Sequence, residues 1–161
     1  MLRGLAGIIL SKVISKFTKV YCDYRKNLLI LLFNRSKVLN LGCGNLKIPN
    51  AVNLDINPEF RPEIVWDLEK LPLPFKDKEF DVVFGFDIIE HVRNPKGLIA
   101  EVERIGKRSV WFCLDFDKAR ENWEADKTHV SYINEKIWGE LFPRDKYWTF
   151  KISNALISVK K

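Results

Sequence analysis

The sequence predicts an α/β fold: a doubly wound, mostly parallel seven-stranded sheet that ends in an antiparallel hairpin and is preceded by amino-terminal helices. Three observations predict it. After Lys37, short apolar runs of strand length alternate with segments of helical spacing. The first three runs end in glycine or a carboxylate, which gathers ligand-binding groups at one edge of the sheet. The last two runs flank Ser153-Asn154, a pair suited to a tight turn.

Taken in order, Leu2, Ala6, Ile9, Val13, Phe17 and Val20 recur at helical spacing, with Lys12, Lys16 and Lys19 along one flank. They predict a basic amphipathic helix. A second helix covers about Tyr24 to Phe33 and gives way at Asn34-Arg35-Ser36. Residues 1–36 are expected to pack on the domain formed by 37–161; the other use of the lysine face is adhesion to an anionic membrane or to RNA. Strands are expected at Val38 to Leu41, Ala51 to Leu54, Glu63 to Trp66, Asp81 to Phe86 and Ser109 to Leu114. A helix from Pro95 to Ile105 carries Leu98, Ile99, Val102 and Ile105 on one face. A further helix from Glu135 to Leu141 is capped by Asn134, and Tyr147 to Ile152 and Ala155 to Lys160 form the hairpin.

A chain of 161 residues with 47% hydrophobic and 30% charged residues suits one folded domain and leaves no room for long disorder. Its net charge of +6 is local: residues 1–37 hold eight Lys or Arg against Asp23, and the remainder holds 19 basic and 20 acidic residues. Cys22, Cys43 and Cys113 show no CxxC spacing and the chain has two histidines, so neither a disulfide framework nor a metal site is expected. The apolar stretches Leu5 to Leu10 and Leu28 to Phe33 are too short to span a bilayer, and no cleavage pattern follows the first. A cytoplasmic location is the expectation.

The first strand ends in Asn40-Leu41-Gly42-Cys43-Gly44, where glycines let the backbone turn tightly beside a ligand. The second ends at Asp55, placed to accept hydrogen bonds from two ribose hydroxyls, and the third at Asp67, placed to accept from an exocyclic amine. A dinucleotide fold would show a third glycine and an acid about 20 residues on. Here Lys47 takes the third glycine position, Asp55 follows Gly42 by 13 residues, and Pro49 leaves no room for a full helix between them. The usual phosphate cradle is absent, which favours an adenosine ligand without phosphates over a nicotinamide dinucleotide.

At VLNLGCG, VNLDI, Trp66-Asp67-Leu68 followed by LPLPF, and FDVVFGFDIIEHVRNP, the chain resembles the class I S-adenosylmethionine-dependent methyltransferases. It is most similar to the small type 11-like group whose fourth strand runs into Glu-His-Val. The resemblance covers roughly residues 37–115 and, more loosely, the final hairpin. It implies a Rossmann-like fold and S-adenosylmethionine as cofactor. Gly42 and Gly44 would flank the methionine part, Asp55 with Ile56 beside it would hold the ribose, Asp67 and Leu68 would sit at the adenine, and Gly85 and Phe86 would cover the sulfonium. Asn40 stands where the family often has an acid that binds the cofactor's amino group; an amide oxygen can accept the same bond.

Methyl transfer from a sulfonium needs positioning and exclusion of water, with a base only where the acceptor must lose a proton. The segment Asp115 to His129 lies where an acceptor would approach, and His129 is the candidate catalytic residue. His91, beside Glu90, is expected to be structural, and Trp123 is either a lid aromatic or a packed helix residue. Phe86-Asp87-Ile88-Ile89 replaces the Asn-Pro-Pro-Tyr pattern of base-amine enzymes, so DNA bases are disfavoured. The expected activity is methyl transfer to a small-molecule, lipid or glycan-type acceptor. The alternatives are a non-catalytic S-adenosylmethionine-binding module or partner-dependent subunit, and an RNA methyltransferase using the basic amino terminus. A homo-oligomer is compatible with so short a chain.

Overall fold

The computed structural model describes residues 36–161. The two helices expected within 1–36, and Cys22, lie outside the described residues.

The sheet begins with β1 (Val38–Leu41), whose four residues are all buried, as an apolar run with strands on both sides requires. It continues with β2 (Val52–Asp55), β3 (Ile64–Val65) and β4 (Phe80–Phe86). Helix α1 (Pro95–Ile105) leads directly into β5 (Gly106–Leu114); α2 (Arg120–Ala125) and α3 (Glu135–Leu141) precede β6 (Tyr147–Ile152) and β7 (Ala155–Lys160). All seven strands join one sheet in the order β3-β2-β1-β4-β5-β7-β6. β1 to β5 pair in parallel, and β7 runs antiparallel between β5 and β6. The strand order reverses between β1 and β4, so a ligand crevice is expected at the carboxyl ends of those strands.

α1 forms where a cap and an apolar stripe coincide. The Asn94 side chain accepts a hydrogen bond from the Gly97 amide, Pro95 starts the first turn, and Leu98, Ile99, Val102 and Ile105 are buried. Behind it lies an aromatic core: Trp111 on β5, Trp138 on α3, Phe142 and Tyr147, with ring centroids 5.6 Å apart for Trp111–Phe142 and 4.4 Å for Trp138–Phe142. The Tyr147 hydroxyl donates to the Glu103 carboxylate on α1 at 2.8 Å, which ties the hairpin to the helix. Gly85 is required here, because a Cβ there would stand 2.4 Å from the Trp111 ring.

Some boundaries differ from the sequence expectation for physical reasons. β2 extends through Asp55, whose side chain is bound to the following turn. β3 shrinks to two residues, leaving Asp67 beyond the strand. α2 was not expected: it buries no residue and has no side-chain cap, so it carries no periodic signal. Short 3-10 turns at Pro58–Phe60 and Ile89–His91 also appear. Among the described residues, no helix is long and apolar enough to cross a membrane.

No helix links β1 to β2; side-chain hydrogen bonds hold that connection instead. The Asn53 amide nitrogen donates to the carbonyls of Ile48 (3.1 Å) and Ala51 (3.3 Å), and its oxygen accepts from the Ile48 amide (2.8 Å) and from the Asn40 side chain (3.0 Å). Glu63 accepts from the Asn53 backbone and side chain and pairs with Lys47 at 3.0 Å. A segment too short and too broken by Pro49 for a helix thus still satisfies its buried polar groups.

Candidate functional site

The carboxyl ends of β1, β2 and β3, with the segment after β4, line an open cleft of about 120 Å³. Of the residues the sequence puts forward for the cofactor, Gly42, Asp55, Ile56, Asp67 and Leu68 line it. Gly42 has φ +58°, and a Cβ there would lie 2.3 Å from the Ile88 side chain, so the turn and the close approach both require glycine. Asp55 is 8% exposed. One of its carboxylate oxygens accepts from the Gly44 amide at 2.8 Å and the other from the Asn57 amide at 2.9 Å. The two bonds fix the carboxylate plane and leave each oxygen a free lone-pair direction, the arrangement that receives two neighbouring hydroxyls. Asp67 is oriented in the same way by the Glu69 amide at 3.0 Å. The residues present therefore fit an adenosine with a free ribose diol.

The other expected cofactor residues stand back from the lining. Gly44 contributes its amide to Asp55. Asn40, 3% exposed, spends its side-chain donors on Asn53 and on the Leu46 carbonyl, so its amide braces the β1–β2 connection. Gly85 packs beneath Trp111, and Phe86 stacks on Phe84 with centroids 5.3 Å apart. The cleft also takes Trp66, Glu69, Ile88, His91 and Val92, to which the sequence reading gives no part in binding the cofactor. Trp66 is pinned by its indole N–H, which donates to the Lys70 carbonyl at 3.0 Å.

Beside the cleft, His91 and His129 meet with ring centroids 4.8 Å apart. The loop after α2 is laced to the 3-10 turn, because the amides of Val130 and Ser131 both donate to the Glu90 carbonyl and the Ser131 hydroxyl donates to the Val92 carbonyl. His129 lies behind His91, wedged between Phe116 at 5.1 Å and Trp123 at 5.2 Å. Trp123 is therefore a packing residue of this cluster. Asp115 is bound by Lys151 at 2.8 Å and Asp117 accepts from the Tyr132 hydroxyl at 3.0 Å. Glu90 is 2% exposed; burial, with the nearby Asp87 charge adding to it, pushes its carboxyl up to about 8. Burial, followed by the neighbouring His129, lowers the pKa of His91.

Comparison with known proteins places this geometry in context. Residues 39–114 match the family model described as a methyltransferase domain. A sterol methyltransferase-like protein of Botryococcus braunii is 29% identical over 77 residues, which is 47% of this chain and 20% of that one. The chain thus spans about a fifth of that relative's length. Among solved structures, an S-adenosylmethionine-dependent methyltransferase from Archaeoglobus fulgidus superposes with a TM-score of 0.65 at 14% identity, covering 87% of this chain and 94% of the other. A Haloferax volcanii complex between the Trm112 methyltransferase activator and a methyltransferase contains a chain matching at TM-score 0.61 and 15% identity, over 78% of this chain and 81% of that one. At these identities the solved structures establish the shared fold.

Proposed function

We propose that this chain, whose residues 39–114 match the model of a methyltransferase domain, binds S-adenosylmethionine in the cleft and transfers its methyl group to a small-molecule, lipid or glycan-type acceptor. The observation that carries the reading is Asp55, held at the end of β2 by the Gly44 and Asn57 amides beside the Gly42 turn. Asp55 would hold the ribose diol, Asp67 and Leu68 the adenine, and Gly42 the methionine part. When bound, the cofactor supplies a sulfonium-activated methyl carbon. The chain's own task is then to orient the acceptor in line with that carbon and to keep water out. His91 borders the cleft and His129 backs it, so we assign His129 to the acceptor side, acting through His91. A lipid-type acceptor is supported by the name of the Botryococcus braunii relative.

A partner-dependent subunit is the second reading. Ile56 and, at 52% exposure, Val65 leave apolar surface at the β2–β3 end of the sheet, and the Haloferax volcanii neighbour was solved with an activator. Radiolabelled methyl transfer into heat-treated cell extract, which keeps small acceptors but no folded partner, and then into native extract separates the two; labelling only with native extract favours the subunit, and silence in both with cofactor bound favours a non-catalytic binding module.

Calorimetric titration with S-adenosylmethionine and S-adenosylhomocysteine tests the cofactor site. Removing two charge-assisted hydrogen bonds in Asp55→Ala should weaken binding by about 10- to 100-fold. No saturable binding by the folded wild type would overturn the proposal.

A further inference from the structure

We propose that Glu90, His91 and His129 form a binding site for a divalent first-row transition-metal ion beside the cleft. Each offers one ligand atom, and the three atoms lie within 4.8 Å of one another.

The hydrogen bonds around the rings set both imidazoles for this role. The His129 Nδ1 faces the Trp123 carbonyl at 3.2 Å, and a carbonyl only accepts, so Nδ1 carries the proton and Nε2 keeps its lone pair. The single Thr128 hydroxyl proton goes to Asp126 at 2.6 Å, so Thr128 Oγ1 must accept from His91 Nδ1, 2.9 Å away. His91 therefore also presents a bare Nε2. A donor pair to a backbone carbonyl and to a hydroxyl backed by a carboxylate is the outer shell that orients metal-bound histidines. The third group supplies an independent sign: Glu90 Oε2 is buried without a hydrogen-bond partner, a costly state that a cation would relieve. The carboxylate nearest the His129 ring, Asp126 Oδ2, stands 3.9 Å from Nε2, too far for a hydrogen bond.

Two imidazoles and one carboxylate suit zinc and its first-row neighbours and are a poor set for magnesium or calcium, which prefer oxygen alone. On a tetrahedral ion with bonds near 2.1 Å the ligand atoms stand roughly 3.4 Å apart, so binding draws the three together by about an ångström. Three protein ligands leave a position open, and because His91 lines the cleft that position adjoins it. Resting on the methyltransferase reading, the ion would hold an acceptor oxygen at the cleft.

The test is calorimetric titration of the full chain with zinc chloride in the absence of any adenosyl compound, together with ¹⁵N spectra of the histidine rings. The chain has only two histidines, so the spectra are unambiguous. One zinc per chain, with both Nε2 resonances shifted, is expected. His129→Ala and Glu90→Gln should each weaken binding at least about tenfold, and Thr128→Val, which touches no ion, by about tenfold. Should Glu90→Gln fail to fold by circular dichroism, Thr128→Val and His129→Ala still decide. Absence of saturable binding, unshifted Nε2 resonances or affinities unchanged in the variants would overturn the site. Because no adenosyl compound is present, such failure is distinct from failure of the cofactor proposal.

Discussion

On the β4–β7 side of the sheet, α1 and α3 bury Leu98, Val102, Ile105, Trp138 and Leu141 against Trp111 and Tyr147, and the connections are capped helices and a tight hairpin. On the β1–β3 side, the connections within residues 42–79 contain only one 3-10 turn and are held by Asn53, Glu63, Asp55 and Arg104 through side-chain bonds to backbone. Both halves share one apolar core, to which β1–β3 add Leu39, Leu41 and Leu54; they differ in their connections, which are packed helices in one half and polar bracketing in the other. The cleft lies on the bracketed side. That division lets the ligand-binding edge carry irregular backbone and oriented carboxylates without disturbing the part that holds the domain together.

The comparison can be broken most forcefully at Trp111. It is 1% exposed and packs between Gly85 and Phe142, so Trp111→Ala should cost about 3–5 kcal/mol and lower the melting temperature by on the order of 10 °C. A drop of only a degree or two would show that the aromatic cluster does not dominate this half. On the other side, Asn53→Ala removes several side-chain hydrogen bonds in one step. It should cost about 2 kcal/mol, with faster amide exchange at Ile48 and weaker cofactor binding than its modest stability loss would suggest. If exchange instead rose evenly across the domain, the two halves would not be separable.

These halves also differ in how much of them could be foreseen. Apolar runs such as Val38–Leu41 and the stripe on α1 announce their elements, because burial of one face or both enforces a period. Ser153 adopts φ +56° in the turn expected at Ser153-Asn154. That Asp55 and Gly42 would stand together at one edge of the sheet was legible, since a strand end is a fixed place in the fold. The bracket around Asn53, which also takes the Asn40 side-chain nitrogen, was not, since amide and carboxylate contacts leave no periodic trace. His91 and His129 are far apart in the chain and meet only through the loop bonded to the Glu90 carbonyl, a contact no local pattern encodes.

A gentler perturbation stays within the packed half. Tyr147→Phe deletes the hydrogen bond to Glu103 without changing the packing, so it should cost about 1 kcal/mol in a thermal melt and leave cofactor affinity unchanged. A change in affinity would mean that the packed half communicates with the cleft.

The smallest effect belongs to pH. Burial resists ionisation of Glu63, but hydrogen bonds from the Asn53 side chain, Lys47 and the Asn53 backbone outweigh it and hold the carboxyl at about 2, below its ordinary value of 4.5. A carboxyl whose pKa is lowered on folding contributes stability that is fully present above its unfolded pKa and is lost as pH falls through the folded one. The contribution should therefore persist at neutral pH and fade between about 4.5 and 2. Its side chain is 47% exposed, so solvent screening keeps the contribution below about 1 kcal/mol. Glu63→Gln should remove that part of the acid dependence, read as a flatter stability curve in urea melts below pH 4.5. Because Glu63 bonds to the β1–β2 side, exchange of the Asn53 amide, which donates to its carboxylate at 2.9 Å, should respond before any amide of α1; the reverse order would place the acid-sensitive contact in the packed half.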